Sequence, residues 1–151
     1  MLAMKPAKEK KTKDSQAPLS VLLAAPLQQL RETVLSNLAS LGYPDVRPAH
    51  LPVLQNLNGQ CLRLTALAAL CGVTKQTMGY LVDDLVNLGY VESSKDPTDA
   101  RAKIITLSDR GRMLEQHRAE ILQGIDAEWT RALGAKEMKR LAKLLEKLAK
   151  P

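Results

Sequence analysis

Residues 63–85 read RLTALAALCGVTKQTMGYLVDDL, from Arg63 to Leu85. Two short helical periods flank a Gly72-Val73 break. Helices that cross steeply need a small residue where their backbones approach, and Ala68 supplies it. The tight turn needs a residue that tolerates positive φ, and Gly72 stands there. Apolar side chains must plug the angle, and Leu67, Cys71, Val73, Met78 and Leu81 are spaced to do so. Thr74 has the hydroxyl that caps a helix start. The spacing predicts a helix-turn-helix. An ordinary pair of bundle helices is the blander alternative.

Working outward, Gly89 closes the second of these helices. Two strand-like runs follow, Tyr90 to Ser94 and Ala102 to Leu107, joined by the polar loop Lys95-Asp96-Pro97-Thr98-Asp99-Ala100-Arg101. A helix-turn-helix with a hairpin directly behind it is a winged helix. Upstream, Leu19, Leu23, Leu27, Leu30, Val34, Leu38 and Leu41 recur at a helical period. Pro26 kinks that helix or starts its main body, and Gly42 stops it. A further helix is predicted from Pro48 to about Asn58, bent at Pro52. A short extended stretch, 62–64, comes before Thr65, which is read as a cap. Downstream, Ser108 caps a long helix striped by Leu114, Ile121, Leu122, Ile125, Trp129, Ala132 and Leu133. After Gly134 a last helix carries Met138, Leu141, Leu145 and Leu148 on one face. The expected fold is mainly α with a small β-hairpin, in a single domain over 18–151. The winged helix-turn-helix covers about 45–107, between dimerisation helices at about 19–42 and 108–150. These end helices carry more apolar stripe than a winged helix of about 60 residues can cover. Such stripes mark an interface, so a homodimer is expected.

The chain has 151 residues, 45% of them hydrophobic, enough for one domain with a core. Its net charge of +6 divides unevenly: +3 over 1–17, +1 over 18–72, −1 over 73–107 and +3 over 108–151. A basic chain suits a phosphate partner, but the excess lies at the ends. The Lys-rich segment 1–17 reads as a disordered arm, either a plain solvated tail or a supplementary contact to a DNA backbone. One Trp, three Tyr and no Phe leave few stacking platforms for single-stranded nucleic acid. No run reaches the ~20 apolar residues that span a bilayer, so no membrane partner is expected. The absence of a signal-like opening places the expected site of action in a reducing cytoplasm, where two cysteines build no disulfide framework.

On the second helix of the pair, Met78, Leu81, Val82 and Leu85 cluster inward, while Gln76, Tyr80, Asp83 and Asn87 point away, flanked by Thr77 and Gly79. Residues near the start of a recognition helix reach base edges in the major groove. Gln76 can pair with adenine and Thr77 can touch a thymine methyl. Thr74, Lys75 and the free N–H groups of the first turn suit a phosphate. Asp83 and Asp84 would repel a backbone, which confines contacts to the first two turns. On the wing, Arg101 can enter a narrow minor groove. Asp99 is placed to hold that guanidinium, and Lys103 to reach a phosphate. The plainer reading of the wing is a set of solvated charges.

The run GYVESSKDPTDARAKIITLSDRGR (89–112), after VTKQTMGYLVDDLVNL (73–88), resembles the multiple-antibiotic-resistance regulator (MarR) family. The Asp-x-Arg wing (Asp99, Arg101), the strand end Ile104 to Leu107, the Ser-x-x-Gly helix start (Ser108, Gly111) and the Gly72-Val73-Thr74 turn carry the likeness. The resemblance implies a homodimeric winged-helix transcription factor, usually a repressor released by a small ligand. Many members have Arg where Tyr80 stands and a second basic residue where Ala100 stands, so this chain presents less phosphate-facing charge. Double-stranded DNA with an inverted-repeat operator is the implied partner. A small aromatic or lipophilic effector is implied near Tyr43, His50 and His117, between the dimerisation helices and the winged domain. A winged-helix protein-interaction module without specific DNA binding is the alternative function, favoured by the −1 middle segment.

Neither thiol carries a signature of reactivity. Arg63 is the nearest base to Cys61, and Cys71 fills a core slot. His50 and His117 lack metal-ligand spacing with the cysteines, so no metal and no cofactor is expected. No phosphate loop, nucleophile elbow or acid–base pair points to an enzyme.

Overall fold

The computed structural model describes residues 17–150. The basic arm read over 1–17 lies outside them but for Ala17. Helix α1 (Leu19–Ser40) runs unbroken through Pro26, so the proline does not start the helix. A 3-10 turn, Pro48–His50, leads into α2 (Leu51–Leu57). The single bent helix expected over 48–58 is thus two elements, because each proline takes a first-turn position where a missing N–H costs nothing. Strand β1 (Leu62–Arg63) precedes α3 (Leu64–Leu70), which begins one residue before Thr65 with Arg63 at its N-cap. Helix α4 (Lys75–Asn87) follows the Gly72 turn, where φ is +65°. Thr74 caps it, its Oγ1 accepting the Thr77 N–H at 3.1 Å.

Strands β2 (Val91–Asp96) and β3 (Asp99–Leu107) form the wing. The sheet order is β1-β3-β2, all antiparallel, with Arg63 opposite Ile104 and Val91 opposite Leu107. The seven-residue polar loop expected at 95–101 is mostly strand. Only Pro97 and Thr98 turn, because the Asp96 carboxylate accepts the Thr98 N–H at 2.8 Å and its hydroxyl at 2.7 Å. Helix α5 (Asp109–Leu133) starts at Ser108, whose Oγ accepts the Gly111 N–H at 3.0 Å and donates to the Gly89 carbonyl at 2.6 Å. Gly134, at φ +84°, breaks α5 from α6 (Ala135–Ala149).

The core lies under the winged domain. Val34 and Leu38 of α1 pack there with Leu54 and Leu57 of α2, Leu67 of α3, Met78, Val82 and Leu85 of α4, Ile105 of β3 and Leu114 of α5. Tyr90, at the root of the wing, is fully buried. Its hydroxyl donates to Asp45 at 2.5 Å, and the Arg110 guanidinium lies 4.6 Å from its ring centre. Burial, then the Asp45 carboxylate, raises the Tyr90 pKa.

The ends are different. None of the residues of α6 is buried. Leu23, Leu27, Trp129, Leu133, Leu141 and Leu145 line an apolar groove of about 640 Å³ between α1, α5 and α6. Leu19, Leu22 and Leu148 are also exposed. Of the stripes that the sequence predicts, Val34, Leu38, Leu114 and Ile125 reach the core, while Leu19, Leu23, Leu27, Leu133, Leu141, Leu145 and Leu148 stay exposed.

Candidate nucleic-acid interface

Helix α4 separates its faces cleanly. Met78, Val82 and Leu85 are buried and Leu81 is half-buried, while Lys75, Gln76, Thr77, Tyr80, Asp83 and Asn87 are exposed. Tyr80 is 68% exposed, and Gln76 Nε2 reaches its hydroxyl at 3.4 Å. Gly79 is half-buried beside them. The face therefore offers two amides, a hydroxyl and a phenol beside Lys75 and Asp83, over a first turn whose N–H groups point along the axis.

The wing stands alongside. Asp99, Arg101 and Lys103 alternate along β3 and share one exposed face. Between this face and the start of α4 runs a cleft of about 380 Å³ lined by Arg63, Leu64, Thr65, Lys75, Asp99, Arg101, Ala102 and Lys103. Four cations and one carboxylate border it. The fold thus brings Lys75 of the helix and Arg101 and Lys103 of the wing to one opening.

The expected Asp99–Arg101 side-chain pair takes another form. Asp99 Oδ1 accepts the backbone N–H of Arg101 at 3.0 Å, so the carboxylate orders the chain rather than the guanidinium. Strand geometry accounts for this: residues two apart lie on one face, within reach of each other's backbone at a tight turn. Asp84, read as a repulsive charge, turns inward and pairs with Arg47 and His50. Arg47 and His50 hold its carboxyl below the usual range, the Arg47 hydrogen bond first.

The three residues singled out for an effector do not share a cleft. Tyr43 and His117 touch, hydroxyl to Nδ1 at 3.0 Å, with ring centres 5.7 Å apart, and Tyr43 also packs on Tyr90. His50 belongs to a separate cluster and is fully buried. Its Nδ1 accepts the Arg47 N–H at 3.2 Å, which assigns the proton to Nε2, 2.8 Å from Asp84 Oδ2. Burial above all lowers its pKa. The open cleft nearby, about 450 Å³, is lined instead by Leu27, Leu30, Arg31 and Val34 of α1, by Pro48, Ala49, Leu51, Pro52 and Gln55, and by Arg118 and Leu122 of α5. Arg118 forks onto the buried Glu115 at 2.7–3.1 Å.

Cys61 is exposed, and burial raises the pKa of the half-buried Cys71 thiol. Among the described residues no three His, Cys, Asp or Glu side chains gather as a metal site, and no helix is long and apolar enough to cross a membrane.

Sequence reasoning missed Arg63, Asp96 and Thr98 as a group, and Arg31 and Arg118 as cleft residues. Their association depends on strand register and helix crossing, which leave no period in the sequence.

A helix-turn-helix with a polar outward face, a cation-lined wing and long helices at both ends defines a winged helix-turn-helix protein. Residues 45–102 match the model of the MarR family. The reduced form of MarR from E. coli superposes with a TM-score of 0.77 at 24% identity, covering 91% of this chain and 100% of that one. A mutant MarR from E. coli, crystallised with operator DNA, gives 0.73 at 25% identity over 88% and 94%. The YusO protein from Bacillus subtilis gives 0.64 at 24% over 87% and 92%. None of the curated proteins matches the chain by sequence. The chain has the winged-helix fold of these MarR structures, and its residues 45–102 carry the match to the family model.

Proposed function

We propose that the chain is a transcriptional regulator that binds double-stranded DNA as a homodimer and represses until a small ligand releases it. The observation that carries this reading is the shared opening between α4 and the wing, to which Lys75, Arg101 and Lys103 all contribute. Cations at that spacing contact phosphates, while Gln76, Thr77 and Tyr80 beside them offer hydrogen bonds to base edges. Thr74, Lys75 and the first-turn N–H groups suit the backbone, and Gly79 lets it approach. Arg101 suits a minor groove, and Lys103 a flanking phosphate. The operator-bound relative, a MarR crystallised with operator DNA, supports the same reading.

Homodimer formation is supported by the uncovered apolar groove of α1, α5 and α6, since an exposed patch of this kind marks an interface. A dimer presents both reading elements twice, so an inverted repeat with half-sites ~10 base pairs apart follows. Release by a ligand is supported by the cleft of about 450 Å³ between the end helices and the 3-10 turn, mostly apolar with Arg31 and Arg118 at its edge. That lining suits an aromatic or lipophilic acid, carboxylate to guanidinium.

The test is selection of duplexes from a random-sequence pool, followed by gel shift of the enriched sequence. Enrichment of an inverted repeat, and its loss of binding with millimolar aromatic acids, is the expected outcome. A pool that stays random would reject DNA reading and leave the protein-interaction module standing.

A further inference from the structure

Arg63 ends β1, opposite Ile104 of β3. Beyond that rung the wing runs on through Lys103 to Asp99 and back through Lys95 and Asp96, paired only with itself. An isolated two-stranded hairpin is marginal in water. One side chain of the body reaches across β3 to this outer half. Arg63 Nε donates to Asp96 Oδ2 at 2.6 Å, and its Nη2 donates to Thr98 Oγ1 at 3.1 Å. Thr98 in turn gives its hydroxyl and its N–H to Asp96 Oδ1. The guanidinium, carboxylate and hydroxyl close a ring around the turn.

Asp96 is 5% exposed, a carboxylate sunk into a surface hairpin. Such a group persists only with partners for both oxygens, and here the turn fills one and Arg63 the other. The Thr98 hydroxyl first, and Arg63 after it, hold the carboxyl below its ordinary range. From this ring the path to the wing cation is short: Asp99 follows the turn and accepts the N–H of Arg101. Arg63 offers no side-chain cap to α3, so its side chain is free of that duty.

We propose that Arg63 is a positioning residue for DNA reading, tying the wing turn to β1 so that Arg101 is presented at a fixed place relative to α4. The proposal rests on the DNA-binding function above. A wing held before encounter loses less freedom on binding than a loose one.

The experiment uses Arg63→Gln and Arg63→Lys, alone and with Arg101→Ala. The first measurement needs no DNA: amide hydrogen exchange at Thr98 and Arg101. Arg63→Gln is expected to speed both about tenfold while α4 and α5 amides stay protected. Unchanged exchange at the wing overturns the proposal, and so does general loosening that reaches α5, which would make Arg63 merely structural. The second measurement is affinity for the duplex that the wild-type chain enriches from a random pool. Arg63→Gln should weaken it about tenfold, yet add less than about twofold in the Arg101→Ala background, because positioning acts through Arg101. Multiplying losses overturn the proposal. Lysine keeps the charge but lacks the fork, so Arg63→Lys should behave as Arg63→Gln. Full rescue by lysine would make Arg63 a phosphate contact instead and also overturns it. If the wild-type chain enriches no duplex, the proposed function fails. The exchange result still decides whether Arg63 holds the wing.

Discussion

Gly111→Ala is the substitution with the most sharply defined cost. Placing alanine for glycine inside a helix ordinarily stabilises by about 0.5–1 kcal/mol. Gly124, in the same helix, should behave so, because nothing lies within 4 Å of a Cβ built there. At Gly111 the Cβ would run into the Tyr90 carbonyl oxygen and lie 3.1 Å from its carbon and 3.3 Å from Leu107 Cδ2. The obstacle is backbone and cannot rotate aside. The first turn of α5 must retreat by about 1 Å to reach ordinary contact. That retreat pulls on two hydrogen bonds, Ser108 N–H to the Tyr90 carbonyl at 3.0 Å and Ser108 Oγ to the Gly89 carbonyl at 2.6 Å. Two such bonds at about 1 kcal/mol each, with overpacking of about 1–3 kcal/mol, outweigh the helix gain of about 1 kcal/mol and leave a net loss of about 2–4 kcal/mol. Urea denaturation followed by circular dichroism, at matched protein concentration, compares wild type, Gly111→Ala and Gly124→Ala. Equal stability of the three, or a stabilised Gly111→Ala, would refute the reasoning, since α5 could then slide on the wing root without cost.

Arg101→Ala should lower the salt slope of DNA binding by roughly one unit, whereas Gln76→Ala should leave the slope and relax one base pair by ~1–3 kcal/mol; a salt titration over single-base duplex variants separates the two. The folded pKa of His50 lies below 6.5, so the unfolded chain takes up the proton first. Stability from this group is therefore full above about pH 6.5 and is lost as pH falls towards the folded value. His50 faces Arg47, Asp84 and Asp45, and His50→Gln should flatten the decline seen by thermal melts between pH 7 and pH 5.5, a window of roughly 1.5 units around the ordinary histidine value. Leu141→Asp with Leu145→Asp should halve the mass seen by light scattering, and a stable wild-type monomer at micromolar concentration would sink the dimer. Cys61→Ser with Cys71→Ser should leave DNA affinity unaltered by mild peroxide, matching a wild type that is itself insensitive; gel shifts with and without peroxide read this directly.

Local signals carried most of the architecture. Gly72 at positive φ, the Thr74 cap and the inward Met78, Val82 and Leu85 are each set by residues within one or two turns, and the helix-turn-helix stands where they place it. Ser108 and Gly111 mark the start of α5 for the same reason. The wing turn was misjudged because Asp96, Pro97 and Thr98 read as generic loop residues. Only the closed carboxylate ring makes two of them sufficient for the turn. Arg63 was invisible as a brace because its partner lies 33 positions away across a strand register. Tyr43, His50 and His117 share a polar character but not a cluster: Tyr43 meets His117, whereas His50 is held by Arg47 and Asp84, the latter 34 positions away.

The residues by which α4 folds and the residues it shows to solvent are separate sets. Lys75, Gln76, Thr77, Tyr80 and Asp83 lie outside the core, and the acid that faces inward, Asp84, is retained by Arg47 and His50. Drift at the outward positions therefore leaves the fold's energy nearly untouched, as surface changes usually do. If α4 reads DNA as proposed, a lineage carrying this scaffold can wander among target sequences by single substitutions without passing through an unfolded intermediate genotype. A library randomised at Gln76, Thr77 and Tyr80 is, for the same reason, a collection of folded proteins with different appetites.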